Sequence, residues 1–142
     1  MSEDLFVEYT IESAPEAARR LLAATARNLG HLPAAVARLA AAPQLLDGFL
    51  KLNALFETTT LEPVAREVLI MTVATRNGCH ICVAMHTARL TELNADAELV
   101  AALREQRPLP DPRLEAVRLF TLAVLATAGA VPEETLDRKS VV

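Results

Sequence analysis

Both cysteines of this 142-residue chain fall in one four-residue window, Cys79-His80-Ile81-Cys82, and His86 follows four residues after the second. Thiols at i and i+3 can close a disulfide across the first turn of a helix, and an imidazole one turn further on can move protons for them. On a helix advancing about 100° per residue, Cys79, Cys82 and His86 share one face. A free thiol with a pKa of about 8.5 is mostly protonated at neutral pH, and both a helix N-terminus and a nearby imidazolium favour the reactive thiolate. Glu67 is the fourth member of the set. It lies ten residues before Asn77 and His86 lies nine after it, so an antiparallel helix pair turning at Asn77-Gly78 brings the carboxylate and the imidazole into register. Val64, Val68 and Met71 share the side of the helix that carries Glu67. A carboxylate in such apolar surroundings needs a partner or stays protonated.

Three chemistries compete for the cysteine pair: redox catalysis, zinc binding, and inert thiols packed as small hydrophobes. Zinc is disfavoured by ligand count. Cys79, Cys82 and His86 supply three ligands on adjacent turns of one helix, and the sequence holds no second Cys/His cluster to supply a fourth. His80 is expected as a partly exposed first-turn side chain, and His31, before Leu32-Pro33, as a loop or capping residue. Met71 and Met85 are read as core packing.

The elements that must hold these residues are helices. Aromatic residues make up 4% of the chain and Trp is absent, while Ala and Leu dominate, which favours close-packed helices over strands built from β-branched and aromatic side chains. Ser13-Ala14-Pro15-Glu16 has the form of a capping box, and Leu21, Leu22, Thr25 and Leu29 recur at helical spacing until Gly30. Pro33 and Pro43 open a short helix near residues 34–41 and a longer one over 44–56. Thr58-Thr59-Thr60 offers N-caps for a helix that starts at Glu62-Pro63 and ends at Asn77-Gly78. Its successor runs from Cys79 to about Leu93, which puts the dithiol at a helix N-terminus. A further helix is predicted near residues 96–104. Beyond a stiff segment containing Pro108, Pro110 and Pro112, Asp111 caps a last apolar helix that ends near Ala128. Val131-Pro132-Glu133-Glu134 resembles the opening of one more helix. The expected organisation is a short extension over residues 1–12 and a single helical domain over 13–142.

Charge narrows the function classes. The net charge is −4 and no Lys/Arg cluster interrupts the mixed pattern, so the footprint of a nucleic-acid binder is missing. Met1-Ser2-Glu3-Asp4 is acidic where a signal peptide is basic, and the longest apolar runs fall short of the roughly 18 residues that cross a bilayer. A cytoplasmic protein without membrane association is expected. In that reducing compartment a close cysteine pair is more often catalytic or metal-binding than a staple.

Arg66-Glu67, an apolar helix, Asn77-Gly78-Cys79-His80-Ile81-Cys82 and then His86 together resemble the alkylhydroperoxidase D-like branch of the carboxymuconolactone decarboxylase family, whose site glutamate, two cysteines and histidine match by spacing. The run of short helices from about Pro33 to Ala128 is similar as well. The resemblance implies an all-α, compact multi-helix domain, here lacking the last helices of the family fold. It implies dithiol-dependent hydroperoxide reduction, an antioxidant, peroxiredoxin-type activity. Glu67 and His86 relay a proton from the thiols, Cys82 attacks the peroxide as the peroxidatic cysteine, and Cys79 resolves the sulfenic acid as a disulfide. Helix position alone favours Cys79 as nucleophile; the family pattern assigns attack to Cys82. No bound cofactor or metal is implied, but an external dithiol, dihydrolipoyl or thioredoxin-like, must reduce the pair. Assembly from identical subunits, as a trimer or hexamer, is also implied. Some family members carry a histidine directly before the second cysteine. This chain has Ile81 there and His80 one place earlier, so that histidine's role does not transfer. The alternatives are a lyase like the family's decarboxylases, which do not rely on a cysteine pair, and a non-catalytic redox sensor.

Overall fold

The computed structural model describes residues 6–133, and among them the chain forms seven α-helices and no strand. No helix among the described residues is long and apolar enough to cross a membrane. The helices divide into two units, one ending at Thr59 and one beginning at Thr60.

The first unit contains α1 (Glu16–Leu29), α2 (Ala34–Leu39) and α3 (Pro43–Glu57). Its core is Ala14, Ala18, Leu22, Val36, Ala40 and Leu46, and Tyr9 and Ile11 from the preceding segment pack against it. The small residues let α1 and α2 approach α3 closely, and only Leu22 and Leu46 fill the space with large, fully buried side chains. The capping box expected at Ser13 does not form. Pro15 occupies the N-cap with no side-chain hydrogen bond, because the Ser13 hydroxyl instead accepts from the Thr10 backbone N–H at 2.9 Å. At the other end Gly30 takes φ 75° and terminates α1, and His31 Nδ1 lies 3.2 Å from the Leu29 carbonyl. His31 thus serves a helix end, as its position before Leu32-Pro33 suggests.

The second unit contains α4 (Pro63–Arg76), α5 (His80–Glu92), α6 (Ala97–Arg104) and α7 (Pro112–Thr127). Helix α4 is its axis and packs against the other three, which explains why its sequence is apolar nearly all round. Val68, Met71, Leu90 and Leu103 are fully buried in this core, each contributing roughly 1.5–3 kcal/mol. The two threonines in the second half of α4 avoid a desolvation penalty by donating to carbonyls one turn back, Thr72 to Val68 at 2.7 Å and Thr75 to Met71 at 2.8 Å. The threonines expected to cap α4 act elsewhere: Thr58 and Thr59 hydroxyls donate to the Leu55 and Phe56 carbonyls at the end of α3, and Glu62 is the N-cap of α4 without a side-chain bond. Asp96 and Asp111 do cap α6 and α7, each accepting from two backbone N–H groups. The proline segment before α7 is held by Glu115, which accepts from the Leu109 N–H at 2.8 Å and binds Arg118 through two bonds. The helix opening expected at Val131-Pro132-Glu133-Glu134 falls at the edge of the described residues, and residues 134–142 lie outside them.

Candidate active site

The joint between α4 and α5 sets the position of the dithiol. Gly78 at φ 65° ends α4; its N–H donates to the Thr75 carbonyl at 3.2 Å and the Cys79 N–H to the Ala74 carbonyl at 2.9 Å, the paired bonds of a left-handed helix stop. The same Cys79 is the N-cap of α5, and its carbonyl accepts from Val83. One residue therefore closes one helix and opens the next, with no slack between them. Cys79 and Cys82 are joined as a disulfide across the first turn of α5, with Cα atoms 5.4 Å apart. Both cysteines are partly buried, and His80 between them is exposed.

Across the same helix pair His86 Nδ1 meets Glu67 Oε2 at 2.7 Å. The partners are 19 residues apart in sequence and come together through the α4–α5 pairing, in the register that a turn at Asn77-Gly78 dictates. Glu67 is 5% exposed, flanked by the buried Val68, Met71 and Ala74. A carboxylate is acceptor-only, so the proton of this bond sits on Nδ1. In the neutral ring, Nε2 is then the basic nitrogen, and the carboxylate holds both tautomer and ring orientation. His86 follows Cys82 by four residues, one turn along α5 on the same face. The two cysteines, the imidazole and the buried carboxylate thus occupy one side of one helix pair. The arrangement can exchange two electrons at the dithiol and move protons through the ring.

Among the described residues, no group of three or more His, Cys, Asp or Glu side chains is arranged to hold a metal ion. One expectation about the surroundings is corrected. Met85 is not core packing: it is 58% exposed, and Ile81 is 71% exposed, so an apolar strip on α5 flanks the cysteines in open solvent. Met71, in contrast, is fully buried. Sequence reasoning also passed over the Ala74 and Thr75 carbonyls, whose bonds anchor Cys79 and Gly78; the Asn-Gly dipeptide was the legible sign of that anchor. It further missed Thr87, beside His86, whose hydroxyl is buried without a hydrogen-bond partner while the neighbouring Thr91 bonds to a carbonyl one turn back. Nothing in its sequence context distinguishes the two.

The sequence pattern of the carboxymuconolactone decarboxylase family matches residues 40–121, a span that holds Glu67, both cysteines and His86 and covers more than half of the chain. No individual curated protein matches it. A match of that extent, over an all-helical chain with the dithiol at a helix start, decides the relationship: the chain belongs to the carboxymuconolactone decarboxylase family.

Proposed function

We propose that this protein is a dithiol-dependent hydroperoxide reductase of the alkylhydroperoxidase D-like kind, working in a reducing compartment, with the cytoplasm as its place. The observation that carries the reading is the bond from His86 to the buried Glu67 carboxylate on the same helix pair as a redox-capable cysteine pair. A carboxymuconolactone-type lyase has no use for a dithiol. A structural staple has no use for a carboxylate-oriented imidazole one turn from a cysteine.

In the reduced protein, the Cys82 proton passes to Nε2 of His86, and the imidazolium is stabilised by the Glu67 carboxylate. The Cys82 thiolate attacks one peroxide oxygen, the O–O bond breaks, and the departing alkoxide takes a proton to leave as an alcohol. Cys82 is then a sulfenic acid. The Cys79 thiolate attacks that sulfur and hydroxide leaves with a proton as water, giving the Cys79–Cys82 disulfide. Two electrons and two protons from an external dithiol, dihydrolipoyl or thioredoxin-like, restore the pair. The α5 N-terminus favours the thiolate at both positions through its unpaired backbone N–H groups. No cofactor enters this cycle.

The test is mass spectrometry of the reduced protein before and after one equivalent of cumene hydroperoxide, followed by turnover assays with dihydrolipoamide and with thioredoxin. The expected result is loss of two hydrogens, many turnovers with one of the dithiols, and none in Cys82→Ser. A sulfenic acid trapped in Cys79→Ser supports attack by Cys82; label retained only in Cys82→Ser reverses the roles. A disulfide that forms readily yet turns over with no dithiol makes the protein a sensor rather than an enzyme.

A further inference from the structure

A cavity of about 100 Å³ lies in the second unit between α4, α7 and the end of α6, lined by Thr72, Thr75, Leu103, Gln106, Arg118 and Leu122. It is separate from the dithiol. Thr72 and Thr75 lie roughly 140° and 80° round α4 from Glu67, on a different side of the helix from the carboxylate that meets His86. Its polar lining divides into donors on Arg118 and acceptors on the two threonines.

The Arg118 side chain is 11% exposed and donates to both oxygens of Glu115, from Nε at 2.7 Å and from Nη2 at 2.6 Å. A guanidinium carries its five N–H donors in a rigid fork, so the outer N–H of Nη2 and both of Nη1 are unspent among the described residues. Nη1 is not sealed inside the protein either, because the buried polar side-chain atom that lacks a partner among those residues is Thr87 Oγ1. This second fork fits a carboxylate through two parallel bonds. Thr72 and Thr75 offer the opposite chemistry: each spends its hydroxyl proton on a carbonyl one turn back, so its oxygen can only accept from anything in the cavity. Gln106 adds an amide that makes no side-chain hydrogen bond among the described residues. It stands at φ 56°, the left-handed stop of α6 where glycine is the ordinary residue, so a long polar side chain is kept there against the backbone's preference.

We propose that this cavity binds a small α-amino acid as its zwitterion, with the carboxylate on the free fork of Arg118 and the ammonium on the hydroxyl oxygens of Thr72 and Thr75 and the Gln106 carbonyl. Size selects the smallest member of that class. A cavity of about 150 Å³ holds benzene, so one of about 100 Å³ takes roughly four or five heavy atoms, the size of glycine. Charge selects the zwitterion over a simple anion: Glu115 already balances Arg118, so an anion adds an uncompensated charge in a part-buried place and a zwitterion adds none. An ammonium has three N–H donors, and the two threonines and the glutamine supply an acceptor for each.

Isothermal titration calorimetry of the full chain with glycine and with acetate, in a buffer free of carboxylates and amines, tests this. Glycine is expected to bind with a Kd of about 1 mM or tighter, well inside the limit for so small a ligand. Acetate, which keeps the carboxylate and lacks the ammonium, is expected to bind at least about 10-fold more weakly, as is glycine to Arg118→Gln and to the double variant Thr72→Val/Thr75→Val, each checked for its fold by circular dichroism. No saturable heat from glycine up to about 20 mM overturns the proposal, since a Kd near 1 mM saturates well below that. Acetate that binds as tightly as glycine overturns it as well, because the threonine wall then has no part in recognition. So does undiminished glycine binding by Arg118→Gln. Should Arg118→Gln unfold, the threonine pair decides: a folded double variant that binds glycine like the wild type overturns the site.

Discussion

Replacing Glu67 by Gln separates the charge of the buried carboxylate from its geometry. The amide is nearly isosteric and its oxygen still accepts the proton on His86 Nδ1 over the same 2.7 Å, so the ring stays in place. What disappears is the negative charge behind the imidazolium that, in the proposed cycle, forms when a cysteine gives up its proton. A hydrogen bond to a charged group contributes about 1.5–3 kcal/mol and a neutral one about 0.5–1.5, so the substitution removes about 1.4 kcal/mol from that state. In the proposed cycle deprotonation through His86 precedes attack, and the loss converts to about a tenfold fall in rate. Glu67→Ala leaves the ring without a partner and opens a void at a position that is 5% exposed. Its rate is expected to fall about 100-fold, with a stability loss of about 3 kcal/mol. The assay is rapid mixing of each reduced variant with excess tert-butyl hydroperoxide, reading the second-order rate constant of thiol loss beside a thermal melt. A Gln variant that melts like the wild type and reacts within twofold of it refutes the reasoning, because the carboxylate charge is then irrelevant to the thiols.

The Cys79–Cys82 disulfide closes so short a loop that its reduction is expected to cost no more than about 2 kcal/mol; melts with and without a phosphine reductant measure this, and global unfolding on reduction makes the bond a structural staple. Gly78→Ala is expected to cost about 1 kcal/mol through its positive φ alone, since a Cβ there meets nothing within 4 Å; urea titration checks it, and Gly78→Asn is expected to lose less. Glu115→Gln is expected to destabilise the second unit by about 1–2 kcal/mol at neutral pH, discounted for the partial exposure of the Glu115–Arg118 pair. Bonds from Arg118, helped by the Leu109 N–H, hold the Glu115 carboxyl below its ordinary value. Its contribution is therefore present above the unfolded-state pKa and is lost as pH falls through the folded one, so the gap between wild-type and variant melting temperatures is expected to shrink between pH 7 and pH 3. A constant gap places its origin in packing rather than charge.

Much of the site was legible because it depends on local rules. Asn77-Gly78 calls for a left-handed stop, and the observed bonds from Gly78 and Cys79 to Thr75 and Ala74 supply it. With the turn located there, the helical period carries Glu67 and His86 to matching heights on two antiparallel helices, where their hydrogen bond is found. Side-chain caps were less legible. Asp96 and Asp111 cap as their positions suggest, but Ser13 turns to Thr10, and Thr58 and Thr59 turn back to α3, because a hydroxyl with several backbone groups in reach takes whichever the chain path brings nearest.

By itself the sequence determined the helical class, the place of the dithiol at a helix start and the register of its carboxylate–imidazole partner, since all three follow from periodicity and a single stop signal. Only the tertiary structure decided which faces meet a neighbour. Met71 and Met85 both sit at apolar positions on adjacent helices, yet one is fully buried in the core of the second unit and the other stands in solvent beside the cysteines. Leu46 and Leu45 are consecutive leucines of α3, one sealed in the core and the other exposed. A period states that a face is apolar. Whether that face becomes core, substrate lip or subunit contact depends on what packs against it, and that is a property of distant chain segments.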